Sequence, residues 1–367
     1  MTYDLETLRL IWWALVGLVA LGFASFEGIS LGTLMLLPLT GDRGDNQASQ
    51  IKSVAPVGLT NLAWLVAMIT LLFAAWPIAY AVALASLQPL LLVILLVLLL
   101  RPLALYFADA IDHPGWRTYA RKALVFSGWV PAVLLGLMLG NLLKGIPFHL
   151  ESDMRIAYLG DAKGLFNLFS LLVAANCVAL LLMHGASYQQ LQAGGELRQQ
   201  AHSIQWRAGV AFLVLFTLAG LWITHLEGYH ITSELLPNAT SNPLAKFVKR
   251  GEGLWLDNYE HIPALIAIPS LAAIGVAVSL WLGRRGRFYL AMLASSTAVA
   301  MALLTVGVSM FPFLVPSNLS LNSSLTIWDS SASQLTLQTL LAVATFTLPV
   351  VFWGSRWVFR LSVAKSD

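Results

Sequence analysis

Apolar residues run along this chain in blocks of about 20, broken by short polar stretches. The blocks predict helices near 9–36, 57–75, 78–100, 123–143, 165–183, 208–226, 262–282, 289–312 and 335–358. Each is long enough to cross a hydrocarbon layer roughly 30 Å thick, whereas a transmembrane barrel would show short alternating segments. The pattern therefore predicts an all-α polytopic membrane protein with about nine transmembrane helices. The apolar stretch from Leu59 to Leu100 would be about 60 Å long as one helix. That is twice a membrane, so "LFAAWPIAYAV" is read as a turn at Trp76 and Pro77 rather than a kink. The first block lacks a basic leader and a small-residue cleavage pattern and is read as a retained span.

Composition agrees. Hydrophobic residues make up 58% of the 367 positions and charged residues 11%. With nine spans, twice as many of the 21 Lys and Arg residues fall on one side as on the other. This bias predicts an outside N-terminus and a cytoplasmic C-terminus. The net charge of +3 is then topological, and no nucleic-acid patch is present. The single cysteine, Cys177, excludes an internal disulfide and any cysteine-built metal site. No Walker loop, dinucleotide fingerprint, HExxH or nucleophile elbow occurs.

Candidate chemistry is sparse. Glu27, in "FASFEGISLG", is a carboxylate inside the first span, which must face a protein interior, a water path or a partner. It is either a proton-relay residue or a group hydrogen-bonded near the inner mouth of the span. Gly28 with Gly32, and Gly136 with Gly140, are spaced for close helix crossings and indicate packing alone. Of seven histidines, only His184 and His225 lie near span ends where a haem ligand is conceivable, and spacing supplies no ligand pair. The longest loop, 227–261, carries Tyr229, Trp255 and Tyr259, read either as interfacial anchors or as part of a cover for a partner or a quinone head. The run "GVSMFPFLVPSNLSLNSSLTIWDSSASQLTL" at 307–337 is either a plain connector or an ordered cap. In it Asp329 beside Trp328 is expected to shape a turn, with Thr326, Ser330, Ser331 and Ser333 satisfying turn and helix-start amides.

The elements "FPFLVPS" and "NSSLTIWDSSASQLTL", with "LRLIWWALVGLVALGFA", "FAAWPIAYA", "RPLALYFAD" and "GNLLKGIPF", occur in order over essentially the whole chain. Together they resemble subunit II of the cytochrome bd type quinol oxidases. The resemblance implies two four-helix bundles plus a peripheral helix. It also implies a haem-free subunit of a bacterial inner-membrane terminal oxidase that oxidises quinol and reduces oxygen to water. The b- and d-type haems are expected in a larger catalytic partner. A structural quinone, lipid and a small accessory membrane chain are further expected associates. The resemblance departs in the acidic elements. "EGIS" keeps Glu27 but has Ser30 where many members have a second acid. "APVGLTNLAWL" keeps Asn61 and Trp64 but has Val57 and Leu59 where a histidine and an aspartate are common. Leucine cannot exchange a proton. Glu27 with Ser30 is thus the expected relay, and Trp64 stands either on an oxygen route or in ordinary packing. Asn61, Trp328 and Asp329 are motif residues. The competing readings are a secondary transporter, against which no inverted repeat is seen, and a diverged membrane scaffold.

Overall fold

The computed structural model describes residues 3–40, 44–110, 114–234 and 236–364, apart from the side chains of 44–46, 57, 59, 60, 107–110, 114, 359 and 361–364. Helix α1 (Leu5–Leu36) is capped by Asp4, whose carboxylate accepts from the Thr7 amide. It is followed by the short polar helix α2 (Gly44–Val54) and by α3 (Val57–Ala75). Trp76 then leaves helical geometry, and Pro77, which can donate no amide, opens α4 (Pro77–Ser86). After Leu87 the chain continues as α5 (Gln88–Ala110). Asn61, near the start of α3, and Arg101, in the second half of α5, both bond Glu27. The chain must therefore reverse between them; it leaves helical geometry at Trp76 and again at Leu87, so the span expected at 78–100 is divided between α4 and α5.

The remaining helices are α6 (Pro114–Lys144), α7 (Leu168–Gln192), α8 (Gly195–Ile223), the single turn α9 (Asp257–His261), α10 (Ala267–Arg284), α11 (Phe288–Met310) and α12 (Gln334–Ala364). Among the described residues eight helices are long and apolar enough to cross a membrane. The second expected span is the shorter apolar helix Asn61–Ala75.

Glycine sets the central crossing. A Cβ at Gly32 would lie 2.1 Å from the Leu181 carbonyl oxygen, and one at Gly185 would lie 2.2 Å from the Gly32 carbonyl carbon, so α1 and α7 touch backbone to backbone. Gly136 and Gly140 bring α6 equally close to Ala174 and Ser170 of α7. Both glycine pairs thus serve α7.

Three antiparallel hairpins decorate one end of the bundle: β1 (Phe148–Leu150) with β2 (Ile156–Tyr158), β3 (Glu227–Ile231) with β4 (Val248–Glu252), and β5 (Phe313–Val315) with β6 (Leu325–Thr326). The hairpins are tied to one another, because Ile146 donates to the Pro316 carbonyl at 2.9 Å and Val248 to Asn322 at 3.0 Å. The 307–337 run is therefore an ordered cap. Tyr229 and Trp255 are corrected from interfacial anchors to plugs. Only 3% and 1% exposed, they pack with Phe313, Leu143 and Phe169, and the Trp255 indole donates to the Leu143 carbonyl at 2.9 Å. An aromatic with a polar tip is equally satisfied where a buried helix end presents a free carbonyl. Burial pushes the Tyr229 phenol up to about 12. Tyr259 is half-buried and bonds Ser309 at 2.9 Å.

Candidate functional site

At the end of the bundle opposite the hairpins, α1, α3, α5 and α6 meet around a buried ion pair. Glu27 and Arg101 are 3% and 5% exposed, and Arg101 Nη1 stands 2.6 Å from Glu27 Oε1. Two charges so far from water persist only when each is fully engaged, and here both are. Arg101 Nη2 donates to the Ser127 carbonyl at 3.0 Å. That carbonyl is four residues before Pro131, inside α6, and proline has no amide to take it. A proline thus frees one acceptor from the α6 ladder, and a buried guanidinium uses it.

Asn61 completes the carboxylate side. Its amide nitrogen donates to Glu27 Oε2 at 2.8 Å and to Ser30 Oγ at 2.9 Å, with the Phe26 carbonyl at 3.2 Å. These acceptors fix the amide, so Asn61 Oδ1 points away from them. It is buried with no hydrogen-bond partner among the described residues. A cavity of about 310 Å³ adjoins the cluster, lined by Glu27, Asn61 and Arg101 on its polar side and by Phe23, Leu62, Leu98 and Pro102 among others on its apolar side. The polar side of such a space offers a water molecule hydrogen-bonding partners.

The structure thus brings together Glu27, Ser30 and Asn61, which the sequence singled out, and adds Arg101 and Ser127, which it did not. The signal for Arg101 was present: an arginine inside an apolar run requires a partner. The side chains of Val57 and Leu59 lie outside the described residues. Trp64 is elsewhere, edged into a notch at Gly22, where a Cβ would meet its ring at 2.3 Å. It stacks on Phe26 at 5.6 Å between ring centres and donates to Ser355 Oγ at 2.7 Å. It does not line the cavity.

Trp328 and Asp329 sit in the opposite cap. Asp329 accepts from the Thr326 amide at 3.0 Å and the Thr326 hydroxyl at 2.6 Å, closing a turn, and pairs with buried Lys246 at 2.8 Å. Burial raises the Asp329 carboxyl above its usual range, against Lys246 and Thr326, which favour the charged form. The same burial lowers Lys246, against Asp329. Trp328 packs edge-on to Phe311, and Ser333 accepts from the Thr336 amide at the start of α12.

The two histidines near span ends differ in setting. His184 is buried with Nδ1 at 2.7 Å from Ser295 Oγ and Nε2 at 3.0 Å from the Ser25 carbonyl, so both ring nitrogens are engaged. His225 is exposed and bonds Thr224. Among the described residues no group of three or more His, Cys, Asp or Glu converges in a metal-holding arrangement.

Comparison with known proteins places the whole chain. The family described as "Cytochrome bd terminal oxidase subunit II" matches residues 8–362. The chain is 35% identical over 357 residues to "Cytochrome bd-I ubiquinol oxidase subunit 2" of Escherichia coli (strain K12), covering 97% of this chain and 94% of that one. It is 34% identical over 364 residues to "Probable cytochrome oxidase subunit 2" of Haemophilus influenzae, covering 99% and 96%. The solved bd oxidase from Geobacillus thermodenitrificans contains a chain of the same fold, with a TM-score of 0.73, 18% identity, and 97% and 98% coverage. The chain belongs to the cytochrome bd terminal oxidase subunit II family.

Proposed function

We propose that the Glu27–Arg101–Asn61 cluster is a hydrated proton-handling site in this non-catalytic subunit of a quinol:oxygen oxidoreductase complex. The observation that carries the reading is the convergence of a carboxylate, a guanidinium and the Asn61 side chain on one cavity within the membrane helices. Arg101 holds Oε1, and Oε2 lies on the Asn61 side. Water in the cavity would exchange a proton with the Glu27 carboxylate, while the Arg101 guanidinium keeps that carboxylate in place. Ser30 relays a hydrogen bond but does not itself titrate usefully.

The complex supplies the redox chemistry. In this reading a larger partner carries the b- and d-type haems and the quinol site, and this chain supports it from the membrane. A structural quinone and a small accessory chain complete the expected assembly. The helix neighbours are read as two four-helix groups, α1, α3, α5 and α6 against α7, α8, α10 and α11, with α12 peripheral on α3 and α1. The hairpin end is read as the outer side and the Glu27 end as cytoplasmic, in line with the basic-residue bias.

The second reading is a clamp that stabilises the partner and conducts nothing, favoured by how completely Arg101 engages Glu27. Family membership leaves the transporter reading without support. The test is proton uptake by the reconstituted complex carrying Glu27→Gln together with Arg101→Gln. Slowed, pH-dependent uptake with intact haem spectra supports the relay. Wild-type uptake and turnover over pH 6–9 assign the cluster to the clamp.

A further inference from the structure

We infer that the Glu27 cavity is entered at the corner between α2 and α3, through an apolar aperture whose width is set by the missing side chain of Gly58. Only the consequence for proton transfer rests on the function proposed above.

Exposure is graded along the cavity walls. At the deep end Phe23, Glu27, Asn61, Leu98 and Arg101 are each 7% exposed or less. Toward the corner Ala55 and Pro102 are exposed, and Gly58 and Leu105 are half-buried. On one wall Ala55, Gly58, Leu62 and Leu65 recur at intervals of three and four residues, so a single face of the chain runs inward from the exposed corner. The mouth therefore lies where α2 gives way to α3.

The chemistry of the rim decides what can pass. Ala55, Gly58, Leu62, Pro102 and Leu105 bring no polar side-chain atom to it, and the two charged lining residues, Glu27 and Arg101, lie deep. A proton has no side chain to step along there and must arrive with water. An apolar constriction passes or excludes water according to its width. A Cβ at Gly58 would meet no atom within 4 Å, whereas one at Gly22 or Gly32 would run into a neighbour. Packing therefore leaves room for a side chain at 58, and the room is part of the opening.

The edges of the opening are held. Ser53, two residues before Ala55, has its carbonyl bonded by the Tyr188 hydroxyl and its own hydroxyl bonded by Gln189 Nε2, each at 2.9 Å, and both donors are buried side chains of α7. The Ala55 amide donates to the Ile51 carbonyl at 3.0 Å, closing the end of α2. On the facing wall Arg101 is anchored to Glu27 and to the Ser127 carbonyl. With both edges fixed, bulk at position 58 controls passage.

The experiment uses the purified complex carrying Leu62→Cys in a Cys177→Ser background, treated with the small neutral reagent methyl methanethiosulfonate and followed by intact mass. The thiol lines the cavity one helical turn inside Gly58. Adding Gly58→Phe should slow its modification roughly tenfold or more, because the ring fills the constriction. Gly58→Ala, whose methyl meets nothing, should stay close to the parent rate. Where Gly58→Phe does not assemble, Gly58→Leu carries the same expectation as the ring. Ser203→Cys, exposed on α8, should react at one rate whatever stands at 58. Undiminished modification behind Phe or Leu overturns the inference, as does an equal fall at both thiols. Proton uptake by the reconstituted complex separates the two proposals. Slowed modification with wild-type uptake in Gly58→Phe keeps the entrance and refutes the proton-handling reading, whereas slowing of both supports both.

Discussion

Removing one member of the Glu27–Arg101 pair should cost far more than removing both. Glu27→Gln leaves a guanidinium 5% exposed without its counter-ion, and Arg101→Gln leaves a carboxylate 3% exposed in the same condition. Loss of one partner from a buried ion pair costs about 3–5 kcal/mol, whereas replacing both charges is often close to neutral. Here the single Arg101 variant should sit at the upper end, because the Ser127 carbonyl freed by Pro131 loses its donor as well. The double variant should recover most of the loss, since two glutamine amides can bond each other and still reach Asn61. The assay is the midpoint of thermal disruption of the detergent-solubilised complex, followed by haem absorbance and by retention of this chain. The four proteins form a double-mutant cycle whose coupling should be favourable by about 3 kcal/mol or more. A Glu27→Gln complex as stable as wild type, or a double variant weaker than either single, would show that the pair is not what holds the four helices together at this depth.

Glycine substitution gives a contrast within one helix. Gly32→Ala should destabilise by more than about 3 kcal/mol, because the new methyl meets backbone, while Gly17→Ala, with no atom within 4 Å, should be neutral or slightly stabilising; thermal midpoints of the two variants check this. Trp64→Phe removes the bond to Ser355 and should cost about 1 kcal/mol. It should leave apparent oxygen affinity in turnover assays unchanged, since the ring is enclosed by α1 and α12 and lines no part of the cavity. Lys246→Met should expose the cap to proteolysis around 232–247, because Asp329 is left 12% exposed and without its cation. Lys246→Met with Asp329→Asn should restore much of the resistance.

The spans were legible because hydropathy reports depth, and depth in a membrane is the strongest constraint on such a chain. The helix break at Trp76 and Pro77 was legible for a related reason: a helix of about 60 Å has nowhere to go. Hydropathy does not report which helix faces which. Glu27 and Arg101 are 74 residues apart, and each alone reads as an isolated intramembrane charge. Likewise the loop aromatics carry no mark that separates Trp255, which closes a helix end, from a tryptophan lying at the lipid surface. The hairpins escaped because their strands span only two to five residues and are fixed by cross-loop bonds rather than by alternation.

Two buried arginines show why the functional reading falls at one end of the molecule. Arg9, 0% exposed near the hairpin end of α1, is bound by neutral oxygens: the Pro237 and Ala239 carbonyls, Ser241 and Ser331. Through them it pins the 237–241 stretch and the turn before α12 to the first helix, and none of these acceptors exchanges a proton near neutral pH. Lys246 and Asp329 form an ion pair, but they close a turn beside that pin and do not line the Glu27 cavity. Arg101 differs in both respects. One of its acceptors is a carboxylate, and that carboxylate fronts a cavity that Asn61 also lines. Equal burial therefore leads to different roles, and the available acceptors decide which. Fixed carbonyls make a fastening, whereas a carboxylate beside a cavity is what the proposed proton-handling role requires.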